Sequence, residues 1–168
     1  MKTLKYTIVG EINSYKVRKL ANFLAKNDRA GVTIDITLSS GGGHTDSGVA
    51  MYELLKTCKA AVIMTAYGIV GSIAVLIFMA AKKRYMTPGC RLYLHQGTIG
   101  SGYPEPIFSN REQAEEHVRC HRWYCEQISE VSGADLSAVA KFCAGDHFFS
   151  ARESVKLGFA TKIKFYNK

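Results

Sequence analysis

Stretches in which every second residue is apolar alternate along the chain with stretches in which apolar residues recur every three or four positions. The first pattern predicts β-strands and the second predicts amphipathic helices. Strands that alternate with helices are typical of an α/β domain with mostly parallel strands. Strands are expected at residues 4–9, 32–38, 61–66, 84–87, 92–95 and 159–165, helices at 14–26, 45–56, 73–81, 111–131, 135–143 and 150–158, and a polar loop at 100–104.

Residues 60–81 carry no charged side chain and are followed by Lys82, Lys83 and Arg84. A run of this length is sufficient to span a bilayer, and basic residues often flank such spans. However, the first part of the run is rich in β-branched residues, glycines interrupt it at 68 and 71, and the remainder has the composition of a buried helix. We therefore interpret the run as a buried strand, a sharp turn and a buried helix, with no membrane span.

Composition is that of one globular domain covering residues 1–168. The chain has 47% hydrophobic and 21% charged residues, and its net charge is +8. The basic residues are spread along the sequence, which gives no indication of a nucleic-acid partner. Five cysteines without a C-x-x-C pair, after a first segment that does not resemble a signal peptide, predict free thiols in a reducing cytoplasm.

Three residues could form a nucleophile, a base and an orienting acid, which is the set that acyl transfer by a serine requires. Ser72 follows a buried strand and begins a buried helix, where the helix dipole favours a developing oxyanion. His95 closes the apolar strand at 92–95, and Asp146 precedes an apolar segment. Each residue taken alone has a structural explanation, as a helix cap, a packed histidine or a turn residue.

Other groups compete with these candidates. His44 follows a glycine-rich loop at residues 39–43 and is a second candidate base. This loop lacks the pattern of a nucleotide-binding loop, so it is either a tight turn or a set of backbone N–H donors for a substrate carbonyl. His117 and His121 are one helical turn apart, as metal ligands can be, but no third ligand is evident and no metal site is expected.

Five motifs, in the same order and at similar spacing, resemble those of the Clp protease proteolytic subunit, a self-compartmentalising serine peptidase. The resemblance extends from Ile8 to Ile163. The motifs are Gly10-Glu11-Ile12-Asn13, Ser40-Gly41-Gly42-Gly43 with Gly48 and Tyr52, Gly68-x-x-x-Ser72, Leu94-His95-Gln96, and Asp146-His147-Phe148-Phe149-Ser150-Ala151-x-Glu153-Ser154-Val155-x-x-Gly158.

The resemblance implies a ClpP/crotonase-like spiral of β-β-α units whose helix at 111–131 forms a handle. It also implies a serine endopeptidase that works through an acyl-enzyme. Ser72 would be the nucleophile, His95 the general base and then acid, and Asp146 the orienting carboxylate. The backbone N–H groups of Gly43 and Ile73 would form the oxyanion hole, and neither a metal nor a cofactor would be needed.

The resemblance further implies a homo-oligomeric ring, a heptamer that can stack in pairs. This ring would act on peptide substrates, and an AAA+ unfoldase could dock to it as a partner. Several positions depart from the family pattern, including Val70-Gly71 in place of two alanines before the serine and Gly97 in place of a proline after His95-Gln96. Gly145 stands where a basic residue often supports contact between rings, and Gly41 replaces the loop proline. Because the first strand begins near Met1, we expect the family's N-terminal axial-loop segment to be missing and coupling to an unfoldase to be weak.

The sequence leaves three alternatives open. A crotonase-fold enzyme acting on acyl-CoA would share the spiral and the oxyanion hole without needing Ser72, His95 and Asp146 together. A membrane-associated signal-peptide peptidase of the same superfamily would use a Ser–Lys dyad. A catalytically silent ClpP-like chain would act only as an assembly partner.

Overall fold

The structure is a computed structural model that describes residues 2–97 and 110–165. The polar loop expected at residues 100–104 lies outside these ranges. The strands are β1 (Lys2–Val9), β2 (Val32–Ser40), β3 (Ala61–Gly71), β4 (Lys83–Met86), β5 (Arg91–Leu94), β6 (His147–Ser150) and β7 (Lys162–Ile163). The helices are α1 (Ser14–Asn27), α2 (Thr45–Thr57), α3 (Ile73–Met79), α4 (Asn110–Ser132), α5 (Leu136–Cys143) and α6 (Ala151–Lys156).

The strands form one sheet in the order β1-β2-β3-β4-β7, and β5 pairs with β3 and with β6. The pairings are parallel except that of β5 with β6. The prediction of an α/β domain with mostly parallel strands is therefore confirmed. Parallel strands place their carboxyl ends at the same edge of the sheet, which brings the segments after β2, β3 and β5 together.

Strand β3 extends further than the sequence predicted. Instead of ending at residue 66, it continues to Gly71, and Gly68 adopts a positive φ of 63° within it. Residues 63–66 pair with β4, whereas residues 69–71 pair with β5. The prediction that Gly68 breaks the strand is wrong, because the glycine redirects the strand to a second partner.

Helix α3 is surrounded by protein. All seven of its residues are buried. Within the part of the chain that the structure describes, no helix combines the length and the apolar composition that crossing a membrane requires. The apolar run at residues 60–81 is therefore a strand that is largely buried, but exposed at Tyr67 and Gly68, followed by the predicted buried helix.

Helix α4 is buried over only part of its length. The stripe of apolar and weakly polar residues includes Val118 in its first half and Cys125 and Ile128 in its second half. Val118 is 66% exposed, whereas Cys125 and Ile128 are buried. The second half of the helix packs on the core, and the first half presents an apolar side chain to solvent. Periodicity alone could not distinguish these two halves.

The last third of the chain contains a strand that the sequence analysis did not predict. Residues 147–150 form β6 by antiparallel pairing with β5. The four-residue segment carries too short a pattern to be recognised alone, and pairing with β5 stabilises it. Strand β7 is shorter than predicted, with two residues. Helix α6 begins at the predicted capping box, in which the Ser150 hydroxyl and the Glu153 carboxylate bond to each other's backbone N–H.

A buried cation joins the sheet to the C-terminal segments. Arg84 on β4 is only 6% exposed, and its guanidinium donates hydrogen bonds to the carbonyl oxygens of Ala81, Gly158 and Phe159 at 2.8–3.0 Å. Burial lowers the pKa of Arg84 from its ordinary value. These carbonyl partners satisfy most of the donors that desolvation would otherwise leave unpaired.

Candidate active site

Ser72 occupies the junction between β3 and α3. It has a φ of 52°, and it is the one non-glycine residue in the described ranges with a positive φ. Its hydroxyl makes no capping hydrogen bond to α3. Its backbone is held on both sides, because its N–H donates to the Tyr93 carbonyl and its carbonyl accepts from the Tyr124 hydroxyl, each at 2.9 Å. Backbone strain of this kind is concentrated at functional sites, and the unused hydroxyl disfavours a purely capping role.

The glycine-rich loop packs directly against Ser72. A Cβ atom at Gly42 would lie 2.7 Å from the Ser72 Cβ atom, so a side chain cannot be accommodated there. The Gly42 N–H donates to the Ser40 hydroxyl oxygen at 3.1 Å, which closes the turn. The sequence left two roles open for this loop, a tight turn or a set of backbone N–H donors for a substrate carbonyl. The contact with Ser72 favours the second role.

Gly43 is the next residue of this loop and pairs with Ile12 in an isolated parallel bridge. The bridge uses the Ile12 N–H, which donates to the Gly42 carbonyl, and the His44 N–H, which donates to the Ile12 carbonyl. This arrangement does not use the Gly43 N–H. Ile73 is the first residue of α3, and N–H groups in a first helical turn have no partner within the helix. Among the described residues, neither of the two N–H groups that the resemblance assigns to an oxyanion hole donates a hydrogen bond.

Ser72 and His95 line the same small cavity, which has a volume of about 70 Å³. The structure therefore brings together the nucleophile and base candidates, which are separated in sequence. Neither His44, the competing base, nor Asp146 is among the lining residues. The remaining lining residues are Thr45, Ile73, Gly97, His117, Cys120, His121 and Tyr124.

His117 and His121 belong to this cavity, which the sequence analysis did not predict. Their rings lie one turn apart on α4, with centroids separated by 6.4 Å. Burial, and secondarily the charge of His117, lower the pKa of His121 from its ordinary value. Across residues 2–97 and 110–165, no three His, Cys, Asp or Glu side chains are grouped closely enough to hold a metal ion. The helical spacing indicated a shared face but not what that face would contact.

Asp146 is positioned by the antiparallel pairing of β6 with β5. The register pairs Leu94 with His147, which places Asp146 opposite His95 at the end of the ladder. The Asp146 carboxylate, however, accepts a hydrogen bond of 2.6 Å from the Tyr93 hydroxyl. Among the described residues, no hydrogen bond joins His95 to Asp146 or to Ser72. The structure thus places the three predicted residues in one region without connecting them into a hydrogen-bonded triad.

The His95 imidazole instead stacks on Tyr93. The ring centroids are 4.9 Å apart and the planes differ by 6°. The hydrogen bond to Asp146 raises the pKa of Tyr93 above its ordinary value, so its hydroxyl remains protonated and acts as a donor. The chemistry that this site can perform depends on whether the Asp146 carboxylate accepts a hydrogen bond from Tyr93 or from His95.

The family model described as Clp protease matches residues 3–167. The ATP-dependent Clp protease proteolytic subunit 2 of Treponema denticola is 30% identical over 169 residues, which cover 97% of this chain and 82% of that protein. Proteolytic subunit 3 of Rhizobium etli is 31% identical over 160 residues, covering 93% and 81%.

Solved structures give the same result. A variant of ClpP1 from Listeria monocytogenes matches with a TM-score of 0.86 and 25% identity, covering 97% of this chain and 92% of that one. A second structure of ClpP1 from the same organism, at 23% identity, shares the fold with a TM-score of 0.84. The chain belongs to the Clp protease family, and its fold is the ClpP fold.

Proposed function

We propose that this chain is a serine endopeptidase in which Ser72 is the nucleophile, His95 the general base and acid, and Asp146 the orienting carboxylate. The observation that carries the proposal is the shared cavity of Ser72 and His95 beside the glycine-rich loop. Membership in a family whose matched relatives are named as proteolytic subunits supports it. The unused Ser72 hydroxyl, held at a strained backbone position, supports the role of nucleophile.

In the first half-reaction, the Ser72 Oγ atom attacks the carbonyl carbon of the scissile peptide bond while His95 accepts the hydroxyl proton. The carbonyl electron pair moves onto oxygen, where the N–H groups of Gly43 and Ile73 stabilise it. The intermediate collapses, the C–N bond breaks, and His95 returns the proton to the leaving amine. An ester between Ser72 and the acyl part of the substrate remains.

In the second half-reaction, His95 removes a proton from a water molecule that attacks this ester, and Ser72 then leaves with the proton. Asp146, when bonded to His95, orients the imidazole and stabilises its charged form. His95 performs each proton transfer, and backbone N–H donors stabilise the negative charge that develops on the carbonyl oxygen. The proposed reaction therefore uses no metal and no cofactor.

The test of this function is the pair of variants Ser72→Ala and His95→Ala. Each should lower hydrolysis of short fluorogenic peptides by about 10⁴-fold or more, and the double variant should lose little more, because members of a triad act as a unit. Ser14→Ala, which changes an exposed serine at the start of α1, is the matched control. Hydrolysis by Ser72→Ala at the wild-type rate would refute the assignment.

A fluorophosphonate probe separates this proposal from its rivals. The probe should label Ser72, and the label should be absent in Ser72→Ala. A crotonase-like acyl-CoA enzyme or a silent assembly partner has no need of an activated serine, so a chain that remains unlabelled would favour one of them. Activity in the absence of detergent would count against the membrane-associated peptidase.

We also propose that the protein works as a homo-oligomeric ring, a heptamer that can stack in pairs, and that it couples only weakly to an AAA+ unfoldase. The relatives' names describe subunits of an ATP-dependent protease. The exposed Val118 on the first half of α4 offers an apolar contact to another subunit. Light scattering should report a mass many times 18.5 kDa, and a monomer at all concentrations would contradict the proposal.

Weak coupling to the unfoldase and a cytoplasmic location both remain predictions. All five cysteines are free thiols in the structure, which is the state expected in a reducing compartment. A mixture with an unfoldase, ATP and a folded tagged substrate would test the coupling directly. Rapid degradation of the substrate would contradict the prediction.

A further inference from the structure

Tyr93 lies at the centre of a stack of three rings on one face of β5 and β6. Its ring is 4.9 Å from that of His95 and 4.3 Å from that of Phe148, with interplanar angles of 6° and 12°. The two contacts hold the phenol between an imidazole and a phenyl ring. The position of the hydroxyl is therefore fixed by packing on both sides of the ring.

The hydroxyl at the end of this ring donates to the Asp146 carboxylate. The O···O distance of 2.6 Å is typical of a hydrogen bond to a charged acceptor, which is stronger than one between neutral groups. In the described ranges, Tyr93 is the residue that bonds to the Asp146 side chain. The same carboxylate is the acceptor that His95 needs for an oriented imidazole.

The location of Asp146 allows it to change partner. It precedes β6, its side chain is exposed, and it follows Gly145, which has no side chain to restrict the turn. The strand register already places it opposite His95. A change of its side-chain rotamer and local backbone, without any change of the sheet, would transfer the carboxylate from the phenol to the imidazole.

We propose that Tyr93 is a positioning residue that holds Asp146 away from His95 in the resting subunit, so that the triad forms only when the carboxylate leaves the Tyr93 hydroxyl. This inference rests on the proposed peptidase function. It adds that the resting site is restrained by one hydrogen bond, whose removal raises the rate of the chemical step. Tyr93 itself does not touch the reacting atoms.

The test is Tyr93→Phe, which keeps the stacked ring and removes only the hydroxyl. The kcat for a short peptide should rise about three- to tenfold with an unchanged KM, because a hydrogen bond that competes for Asp146 is lost while the cavity lining is kept. Labelling of Ser72 by a fluorophosphonate should accelerate to a similar extent. Tyr6→Phe on β1, which changes a tyrosine packed against Phe23, is the control and should alter neither rate.

A spectroscopic measurement detects the change of partner directly. Proton NMR of Tyr93→Phe should show a low-field imidazole N–H resonance, characteristic of a histidine bonded to a carboxylate, that is absent from the wild type. Adding His95→Ala or Asp146→Asn to Tyr93→Phe should abolish it. A merely structural role for Tyr93 would leave this region of the spectrum unchanged.

The outcomes separate the two proposals. If Ser72-dependent activity exists but kcat is unchanged or lower in Tyr93→Phe, or if the resonance does not appear, the inference about Tyr93 is overturned while the peptidase function stands. If neither protein shows Ser72-dependent hydrolysis or labelling, the proposed function fails. In that case the NMR comparison alone decides whether Tyr93 restrains Asp146.

Discussion

Gly48 determines how closely α2 approaches Ile73, the residue that follows Ser72. A Cβ atom at this position would lie 2.1 Å from Cγ1 of Ile73, and 3.1 Å from both its Cβ and Cγ2 atoms. Ile73 also supplies the N–H group proposed for the oxyanion hole. Gly48→Ala therefore perturbs the packing of the buried face of α2 against the buried helix α3 and the geometry of the site at the same time.

Two opposing effects set the magnitude. Replacing glycine by alanine within a helix should stabilise the protein by about 1 kcal/mol. Inserting a methyl group into a closely packed core typically costs about 1–3 kcal/mol, and the 2.1 Å approach requires α2 or α3 to move. Because the approach is this close, the upper end of that cost applies, and we expect a net loss of about 2 kcal/mol in the free energy of unfolding, together with a large loss of Ser72 labelling by a fluorophosphonate.

The matched variant is Gly48→Ala combined with Ile73→Ala, which removes the Cγ atoms that the new methyl group would meet. Ile73→Ala alone should cost about 2–5 kcal/mol because it leaves a cavity. The double variant should be less destabilised than the sum of the single variants, with a coupling of about 1–3 kcal/mol, because the new methyl group occupies part of that cavity. Urea unfolding and the labelling rate measure both effects. Additive free energies, or a Gly48→Ala protein with wild-type stability and labelling, would refute the packing argument.

Three further predictions concern stability. Gly158 and Gly133 have the same positive φ of 74°, but a Cβ atom at Gly158 would lie 2.0 Å from a carbonyl oxygen at the end of α4, whereas Gly133 has no neighbour within 4 Å. Gly158→Ala should lower the free energy of unfolding by about 2–5 kcal/mol, and Gly133→Ala should lower it by about 1–2 kcal/mol. Equal losses in thermal or urea unfolding would contradict the predicted clash between the new Cβ atom and the carbonyl oxygen. Arg84→Met should lower the free energy of unfolding, measured in urea, by about 2–4 kcal/mol because it leaves buried carbonyl groups unpaired. The exposed control Lys83→Met should have little effect. Similar losses for the two variants would contradict the role of the buried cation. Burial raises the pKa of the Cys90 thiol to about 12. The folded protein therefore keeps a proton that the unfolded chain loses above about pH 8.5, and the free energy of unfolding should fall by up to about 1.4 kcal/mol per pH unit between these values. The free energy of unfolding of Cys90→Ala should fall less steeply over that pH range. A slope identical to that of the wild type would contradict the assignment of this pH dependence to Cys90.

The sequence by itself predicted the alternation of strands and helices, the buried character of residues 60–81 and the capping box at Ser150. These features depend on patterns within one segment, where the period of apolar residues reflects the geometry of a single element. The motifs around Ser72 and His95 were recognisable for the same reason. The resemblance of their order to that of a known family extended these local patterns to the whole chain.

Tertiary structure determined what depends on contacts between distant segments. The glycine at position 68 led us to predict that the strand ends there, but pairing with β5 extends β3 beyond Gly68. His117 and His121 enter the cavity because α4 packs over α3, and no helical period indicates the surface on which a helix will pack. The register of β5 against β6 places Tyr93 within reach of Asp146, so the carboxylate acquired a partner that the motif alone did not predict. Local spacing identifies which side chains are present, whereas the competition between His95 and Tyr93 for one carboxylate depends on distances that only the packed sheet sets.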